Sequence, residues 1–452
     1  MKTVRIGSGG GYAAAAMDPA LDSIKYGDIS YICFDSLSEN ELSLVALEKI
    51  KDSSIPGYDL QLEKRMKKLL KPALDHKVKI IGNMGSGNPV AAAEYIAGQV
   101  KALGYTGVKV AAVTGDNVRE FLLASDYKTV ENDRPIRDFG DKMLAAHAYI
   151  ACDGIVEALE HGADIVVTGR MGDAAMYLGA LRYEFGWAAD DWDKLALGTM
   201  VGHQLECEIL LCGGNFTDPP YKYTPQLWRA GYPIAEVGED GSVIFTKPEG
   251  TGGMITVDTC KEQWLYEIVD PFCYKHADVS IDITKAHFEQ IGKDRVRLCG
   301  PVVGSPYPDT LKVAIGVQDG YYTQATIWVG GPGALGRAKF ARDMLNARFA
   351  HLGFRPDVYK LFLLGIEGLY GDAPGVPKDL DPWEVGIRFA ARGQDRAELE
   401  EMVHEATGRM TGLGPAGITC ESFSLQLRDV VKYYHTFIPR DVIEMKVTYV
   451  EV

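Results

Sequence analysis

The sequence contains no Cys-x-x-Cys pair, although eight cysteines are spread between Cys33 and Cys420. Pairs at that spacing build zinc ribbons and many iron–sulfur sites, so the scattered cysteines disfavour both and are typical of reduced, buried thiols. No apolar run reaches membrane-spanning length, and no signal peptide precedes the first predicted strand, which begins at Thr3. The sequence therefore predicts a cytoplasmic protein that does not associate with membranes.

Basic residues are also scarce, because 47 lysines and arginines stand against 62 acidic residues, for a net charge of -15. A net negative charge of this size repels the phosphate backbone of nucleic acids, so the protein is not predicted to bind nucleic acid. Repeat arrays and low-complexity segments are missing as well. The 452 residues, 46% hydrophobic and 24% charged, are typical of a globular protein with more than one domain. We predict an α/β domain over residues 1–220 and an α+β domain over residues 221–452.

Strands and helices alternate along the first predicted domain. The pattern predicts buried strands at residues 4–6, 29–34, 78–81, 108–113 and 165–168, with a helix at residues 149–159 among the connecting segments. This alternation indicates a mainly parallel, doubly wound sheet with helices on its faces. The second predicted domain is β-rich from residue 279 to residue 330. Helices follow there at residues 339–349 and 395–407, which is typical of an α+β domain.

Polar or glycine-rich turns follow the predicted parallel strands. Because the carboxyl ends of parallel strands meet at one edge of a sheet, these turns predict a ligand site at that edge. Asp35 belongs to this set, and Asp116 is a candidate for proton transfer. The predicted substrate-binding residues at the strand ends are Ser8, Gly9, Gly10, Asn83, Gly85, Ser86, Thr114 and Thr168.

The turn that follows the strand at residues 165–168 carries Arg170 and Asp173. An arginine presents a planar fork that matches a carboxylate or a phosphate, and an aspartate beside it can move a proton or hold a metal. The alternative is a local ion pair that closes the turn. We predict Arg170 and Asp173 as catalytic residues, since similar polar turns recur at the other strand ends.

A helix predicted at residues 196–211 carries His203 and Glu206 three positions apart, and therefore on one face. Such a pair can bind a divalent metal or transfer a proton, whereas the alternative is a hydrogen bond on the helix surface. Both residues are predicted as catalytic candidates.

A glycine-rich turn at residues 247–253 contains three further substrate-binding candidates, Lys247, Thr251 and Gly252. Together they could hold a phosphate or a carboxylate, and the alternative is a plain loop in which the glycines supply positive φ angles. The glycine patterns at residues 7–11 and 331–336 match a dinucleotide fingerprint poorly, because neither has the expected acidic partner. A nicotinamide cofactor is therefore not predicted.

Several stretches, taken in order along nearly the whole chain, resemble the acyclic terpene utilisation protein A family. They are Val4-Arg5-Ile6-Gly7-Ser8-Gly9, Asn83-Met84-Gly85 with Asn88-Pro89, Val113-Thr114-Gly115-Asp116, Thr168-Gly169-Arg170 with Asp173, Gly202-His203 with Leu205-Glu206-Cys207, Gly213-Gly214-Asn215-Phe216 with Asp218-Pro219, residues 247–253, and Tyr266-Glu267 with Asp270-Pro271. The resemblance implies a soluble protein that serves the breakdown of branched acids, such as CoA esters derived from citronellol and geraniol. It also implies a small partner with a ferredoxin-like fold, encoded separately or fused. We expect no fused ferredoxin-like segment after the second predicted domain.

Three functional hypotheses follow. The first is a hydro-lyase acting on a branched hydroxy-carboxylic acid or its CoA thioester, in which Arg170 anchors a carboxylate and Asp116, Asp173 or His203 moves a proton. The second is a metal-assisted hydrolase or C–C lyase with a divalent metal on His203, Glu206 and Asp173. The third is a ligand-binding or scaffolding subunit that needs the small partner for activity. A homo- or hetero-oligomer is expected, and CoA enters only as part of a substrate.

Overall fold

The computed structural model describes residues 2–11, 16–371, 373, 380–420 and 427–452. It divides into two compact units, of which the first comprises Met1–Gly316 with Tyr433–Val452 and the second comprises Val317–Lys432. The predicted boundary after residue 220 falls inside the first unit. Among the described residues, no helix is both long enough and apolar enough to cross a membrane.

Strands and helices alternate through the first third of the chain, and strands predominate after residue 230. The strands are β1 (Thr3–Gly10), β2 (Tyr31–Phe34), β3 (Lys79–Gly82), β4 (Lys109–Thr114), β5 (Met143–Ala148), β6 (Ile165–Thr168), β7 (Ile234–Gly238), β8 (Val243–Thr246), β9 (Tyr274–Lys275), β10 (Ser280–Asp282), β11 (His287–Gly292), β12 (Arg295–Cys299), β13 (Val303–Ser305), β14 (Thr310–Gly330), β15 (Val358–Leu364), β16 (Glu384–Gly393), β17 (Ile418–Cys420), β18 (Leu427–Pro439) and β19 (Lys446–Glu451). The α-helices are α1 (Met17–Tyr26), α2 (Glu39–Lys51), α3 (Leu62–Asp75), α4 (Pro89–Ala102), α5 (Arg119–Leu123), α6 (Asp153–Glu160), α7 (Ala175–Phe185), α8 (Trp192–Glu206), α9 (Val257–Leu265), α10 (Ala334–Leu352), α11 (Arg396–His404) and α12 (Met410–Leu413).

A ten-stranded sheet organises the first unit, in the order β11-β12-β8-β7-β1-β2-β3-β6-β4-β19. Five neighbouring strands of this sheet pair in parallel, as predicted, and they are β1, β2, β3, β6 and β4. β7 and β19, however, pair antiparallel to β1 and β4 at the two sides of this parallel core. The sheet is therefore mixed, which corrects the prediction of a mainly parallel, doubly wound sheet. The added strands come from residues beyond 230, and periodicity along the chain does not say which strands will pair.

The parallel core is apolar on both faces, as expected for strands covered by helices. All four residues of β2 and of β6 are buried. Side chains from these strands pack with α1, α3 and α4 into one apolar cluster that includes Ile32, Ile80 and Ile165. The helix entries also follow their sequence signals, since the Asn88 side chain accepts a hydrogen bond from Ala91 N at 3.3 Å at the start of α4. Short apolar strands and capped helices thus bring the polar strand ends to one edge.

The second unit contains four strands of a six-stranded sheet, which pair antiparallel in the order β15-β16-β14-β17. Its chain order, with α10 between β14 and β15 and with α11 and α12 between β16 and β17, is the βαββαβ arrangement of ferredoxin-like folds. Apolar residues of these strands and helices form a separate buried cluster. The connectivity that the family resemblance implied for a partner is therefore present within this chain, inside the predicted second domain.

Candidate functional site

A cleft of about 510 Å³ lies where several strands of the parallel core end. Every residue that lines it belongs to the first unit. Some of them follow β1, β2 and β6, and the others come from the end of α8 and from later segments of the chain. The lining residues are Gly11, Asp35, Leu37, Ser38, Glu39, Asn40, Tyr149, Arg170, Asp173, Glu206, Cys207, Tyr266, Glu267, Lys312 and Tyr433.

Arg170 is the deepest cation of the cleft, with 4% of its side chain exposed. One of its terminal nitrogens donates to the Leu37 carbonyl, and the other donates to Asp173. Its guanidinium lies over the Tyr149 ring, 4.1 Å from the ring centroid. The local ion pair of the alternative is thus present, and both residues also line the cleft. Cation–π stacking and hydrogen bonds hold the guanidinium in a defined orientation.

Tyr149 and Lys312 form a wall of the cleft around the Glu39 carboxylate. Glu39 accepts hydrogen bonds from Tyr149 Oη at 2.7 Å, from Lys312 Nζ at 3.0 Å and from a ring nitrogen of His435 at 3.0 Å. The Lys312 ammonium also lies 4.7 Å from the centroid of the Tyr149 ring. Burial raises the pKa of Glu39, but the hydrogen bonds from His435 and Tyr149 and the Lys312 charge outweigh it, so the net shift is downward. Glu39 is therefore ionised at neutral pH.

Three carboxyl groups converge opposite this wall. Oxygen atoms of Asp35, Asp173 and Glu206 lie within 4.8 Å of one another. Burial raises the pKa of Glu206 well above its usual range, and the charges of Asp35 and Glu267 raise it further. Burial also raises the pKa of Asp35, to about 6, although Arg170 and a hydrogen bond from Asn83 lower it. Burial therefore favours the protonated form of Glu206, whereas Arg170 and Asn83 favour the ionised form of Asp35 beside it.

The raised pKa of Asp35 predicts a pH-dependent change in stability. A carboxyl whose pKa is higher in the folded state favours folding below its unfolded pKa of 3.8, and this contribution is lost as the pH rises through about 6. Asp35→Asn keeps the oxygen that accepts the 2.5 Å hydrogen bond from Asn83 but does not ionise. The melting temperature of the variant, relative to that of the unmodified protein, should therefore be higher at pH 7 than at pH 4.

Asp282→Asn is the control for this measurement, because hydrogen bonds from Thr284 lower the pKa of Asp282. The contribution of Asp282 to stability is lost only below its ordinary pKa of 3.8, so the relative melting temperature of Asp282→Asn should be nearly the same at pH 7 and at pH 4. A difference between Asp35→Asn and the unmodified protein that does not change with pH would contradict the assigned pKa of Asp35.

His203 and Glu206 lie on one face of α8, as their spacing predicts. Nδ1 of His203 lies 3.2 Å from Oε1 of Glu206, and both side chains are buried. Burial lowers the pKa of His203 to about 4, so its imidazole is neutral at pH 7. Glu206 lines the cleft, whereas His203 lies behind it. His203 therefore contacts a cleft residue from the protein interior.

Asp116 lies behind the turn of Arg170 and does not line the cleft. Its Oδ2 accepts hydrogen bonds from the Arg170 backbone N–H at 2.7 Å and from Nδ1 of His147 at 2.6 Å. A Cβ on Gly169 would lie 2.3 Å from this carboxylate, which explains the glycine there. Asp116 thus holds the backbone of the turn in place.

The predicted glycine and serine positions at the strand ends are mostly inside the protein. Ser8, Asn83, Ser86 and Thr168 are buried, and Asn83 accepts from Ser36 N at 2.8 Å while donating to Asp35. The predicted strand-end residues that do not line the cleft are Ser8, Gly9, Gly10, Asn83, Gly85, Ser86, Thr114 and Thr168. Asn83 is the one that contacts a lining carboxylate directly, through Asp35.

Glycines in these turns permit close approach of the backbone. A Cβ on Gly9 would meet the Phe34 ring at 2.4 Å, and one on Gly85 would lie 2.6 Å from the Thr168 carbonyl. The tightest contact is at Gly11, where a Cβ would lie 2.2 Å from the carbonyl oxygen of Glu206. Glycine at position 11 therefore lets the end of α8 reach the end of β1 and brings Glu206 into the cleft.

Gly11→Ala is expected to lower the free energy of unfolding by about 1–3 kcal/mol, because the new methyl group overlaps backbone that cannot move aside independently. Urea unfolding measures this change. Gly98→Ala is the matched control, since nothing lies within 4 Å of the added Cβ in the middle of α4. That substitution should raise stability by about 1 kcal/mol through helix propensity. Equal effects of the two substitutions would refute the close approach at Gly11.

Lys247, Thr251 and Gly252 do not line this cleft. The Lys247 ammonium donates to the Thr251 carbonyl at 2.9 Å and lies 3.4 Å from Asp294 Oδ2. Thr251 and Gly252 line a separate pocket of about 630 Å³. The lysine is thus engaged within its own turn, as in the alternative of a plain loop.

Sequence reasoning missed Glu39, Tyr149, Glu267, Lys312 and Tyr433 as lining residues. The sequence predicts a helix over residues 149–159, but α6 begins at Asp153, and Tyr149 precedes it. Its backbone N–H donates to the Lys312 carbonyl at 2.9 Å. Only Glu39 carried a local signal, because it follows Ser38, whose side chain accepts from Glu41 N at the start of α2.

Comparison with known proteins gives one family. The model of that family, described as acyclic terpene utilisation family protein AtuA, matches residues 4–449. No curated protein matches the chain, and neither does any solved structure.

Proposed function

The chain belongs to the acyclic terpene utilisation AtuA family, and from the cleft we propose that it is a hydro-lyase acting on a branched hydroxy-carboxylic acid. The observation that carries this proposal is a pair of adjacent carboxyl groups, the half-buried Asp35 and the buried Glu206, whose environments raise the pKa of Glu206 well above its usual range and that of Asp35 only to about 6. Removal of water from a hydroxy acid needs a base and an acid at neighbouring positions.

In the proposed reaction, Arg170 binds the substrate carboxylate and withdraws charge from it. Asp35 accepts the proton from the carbon next to the carboxylate, and Glu206 donates its proton to the departing hydroxyl, which leaves as water. The electron pair of the broken C–H bond becomes the new C–C double bond, and the C–O bond breaks. Because the two carboxyl groups lie within 4.8 Å, the proton gained by Asp35 can return to Glu206. In this reaction Asp116 and His203, which the sequence predicts as candidates for proton transfer, act as positioning residues.

The charges of the cleft support a free acid rather than a CoA thioester as the substrate. Its lining contains two basic residues, Arg170 and Lys312, and Lys312 is already bonded to Glu39. The phosphates of CoA would need further cations beside them, and they would meet the acidic residue Glu267. A branched hydroxy acid of a few carbons needs only one carboxylate site.

Proton NMR in D₂O tests the proposed reaction on the purified chain alone. A panel of branched 3-hydroxy acids and their CoA thioesters should yield one α,β-unsaturated product, and the reverse reaction should place deuterium on the carbon beside the carboxylate. Failure with every free acid and every thioester would count against a hydro-lyase. Activity that appears only after a small partner protein is added would instead favour the third hypothesis, a subunit that needs a partner.

A metal-assisted hydrolase or C–C lyase is the second candidate, because the three carboxyl groups within 4.8 Å could share a divalent ion. The sequence predicted His203, Glu206 and Asp173 as the metal ligands, and in the structure Asp35 replaces His203 in this group. Elemental analysis of the purified protein before and after dialysis against a chelator distinguishes the two candidates. A stoichiometric ion that is required for turnover would favour the second candidate, and full activity after its removal would eliminate it.

A further inference from the structure

The contact between Arg170 and Asp173 joins groups of very different accessibility. The side chain of Arg170 is 4% exposed, whereas that of Asp173 is 36% exposed. Asp173 lies in the turn just before α7, so rotation of its side chain could carry the carboxylate away from the arginine and into water. Of the two partners, Asp173 is therefore the one that can leave the contact without moving the backbone.

Asp173 satisfies only part of the hydrogen-bonding capacity of the Arg170 guanidinium. A single oxygen of its carboxylate, Oδ1, accepts from one terminal nitrogen of Arg170. Nε of Arg170 is buried and has no hydrogen-bond partner among the described residues. A guanidinium can donate two parallel hydrogen bonds to one carboxylate, and a buried donor without a partner costs free energy. A ligand that offers two suitably placed oxygens would satisfy Arg170 better than Asp173 does.

We propose that Asp173 occupies, in the unliganded protein, the position on Arg170 that the carboxylate of the substrate takes. This inference rests on the proposed function, because it assumes that Arg170 binds a carboxylate. Binding then exchanges one carboxylate for another, and the buried guanidinium keeps an anionic partner throughout. That matters because a buried charge that loses its partner destabilises a protein strongly.

The exchange has a consequence for the substrate class. A neutral ester, amide or thioester group cannot replace the charge that Asp173 withdraws, so the end of the substrate bound to Arg170 must be a free carboxylate. Asp173 is on this argument not an acid or a base of the reaction. It competes with the substrate for Arg170, and the protein should bind its ligand more tightly without it.

Isothermal titration of the full chain with 3-hydroxy-3-methylbutyrate and with its methyl ester tests the exchange. Asp173→Asn keeps the size of the side chain and removes its charge, so we expect the dissociation constant of the acid to fall about tenfold, with little change for the ester. Asp173→Ser is the second variant, in case the asparagine retains a hydrogen bond to Arg170. Melting temperatures confirm that both variants are folded.

Glu267→Gln separates exchange from a general change in charge. Glu267 lines the same cleft, and no hydrogen bond or ion pair joins it to Arg170 among the described residues. Replacement of Glu267 by glutamine removes one negative charge from the cleft but leaves the contact between Arg170 and Asp173 in place. Tighter binding in the Asp173 variants alone supports the exchange, whereas an equal gain in Glu267→Gln overturns it.

The two possible failures are distinguishable. If the unmodified protein binds the acid but the Asp173 variants bind it more weakly, or need added Mg²⁺ to bind it, the exchange is wrong while Arg170 can still anchor the substrate. If neither the unmodified protein nor any variant binds any acid of the panel, both the exchange and the proposed function are overturned.

Discussion

Arg170→Lys should lower kcat/KM by at least about 100-fold, a loss of roughly 3 kcal/mol in transition-state stabilisation. Lysine keeps the positive charge but offers no planar fork, so it cannot hold a carboxylate with two parallel hydrogen bonds. It also loses part of the stacking on Tyr149, which lies 4.1 Å from the guanidinium. Steady-state kinetics with the best acid of the panel measure the effect.

Arg182→Lys is the matched control for this substitution. Arg182 is also largely buried and pairs with an aspartate, Asp153, at 2.6 Å, but it does not line the cleft. Its replacement should leave kcat/KM within about twofold of the unmodified protein, with any effect confined to stability. If Arg170→Lys retains full kcat/KM while its melting temperature is unchanged, Arg170 does not anchor the substrate. Lysine is preferable to alanine here, since alanine would also leave Asp173 without its cationic partner.

Glu206→Gln should remove the general acid and lower kcat by about 10²–10⁴-fold with little change in KM, because the lost interaction exists only during proton transfer. The protein should remain folded. Burial favours the protonated form of Glu206 by raising its pKa, and an amide has nearly the same shape as a carboxylic acid without the tendency to ionise. Single-turnover measurements separate this chemical step from substrate binding.

Glu208→Gln provides the comparison for Glu206→Gln. Glu208 is a buried acid only two positions away, and burial raises its pKa as well, yet it does not line the cleft. Its substitution should leave kcat unchanged. Equal losses in both variants would mean that the end of α8 is merely disturbed, and an active Glu206→Gln variant would exclude Glu206 as the acid.

The strand-end residues could be predicted because they depend on local sequence. Short apolar runs form the buried strands of the parallel core, and the residues that follow them must emerge at one edge of the sheet. Arg170 and Asp173 were found in this way, and the helical spacing of His203 and Glu206 also held in the structure. The same reasoning placed Asp35 at this edge, where it lines the cleft.

The other wall of the cleft could not be predicted, because its members meet only through long-range packing. Lys312 and His435 reach Glu39 from positions 273 and 396 residues away. No local pattern specifies such contacts. The direction of the Asp116 side chain could not be predicted for a related reason, since the sequence placed Asp116 at a strand end but did not specify that its carboxylate accepts from the Arg170 backbone.

The amino-acid sequence by itself determined the family, through stretches along nearly the whole chain. It also determined the strands of the parallel core and the turn that carries Arg170, since these depend on residues that are near one another along the chain. Tertiary structure alone decided that the sheet is mixed and that β19 adds to β4. It also decided which carboxyl groups share a buried space. Ionisation of Asp35 and Glu206 depends on burial and on nearby charges, and those exist only after distant segments have packed together.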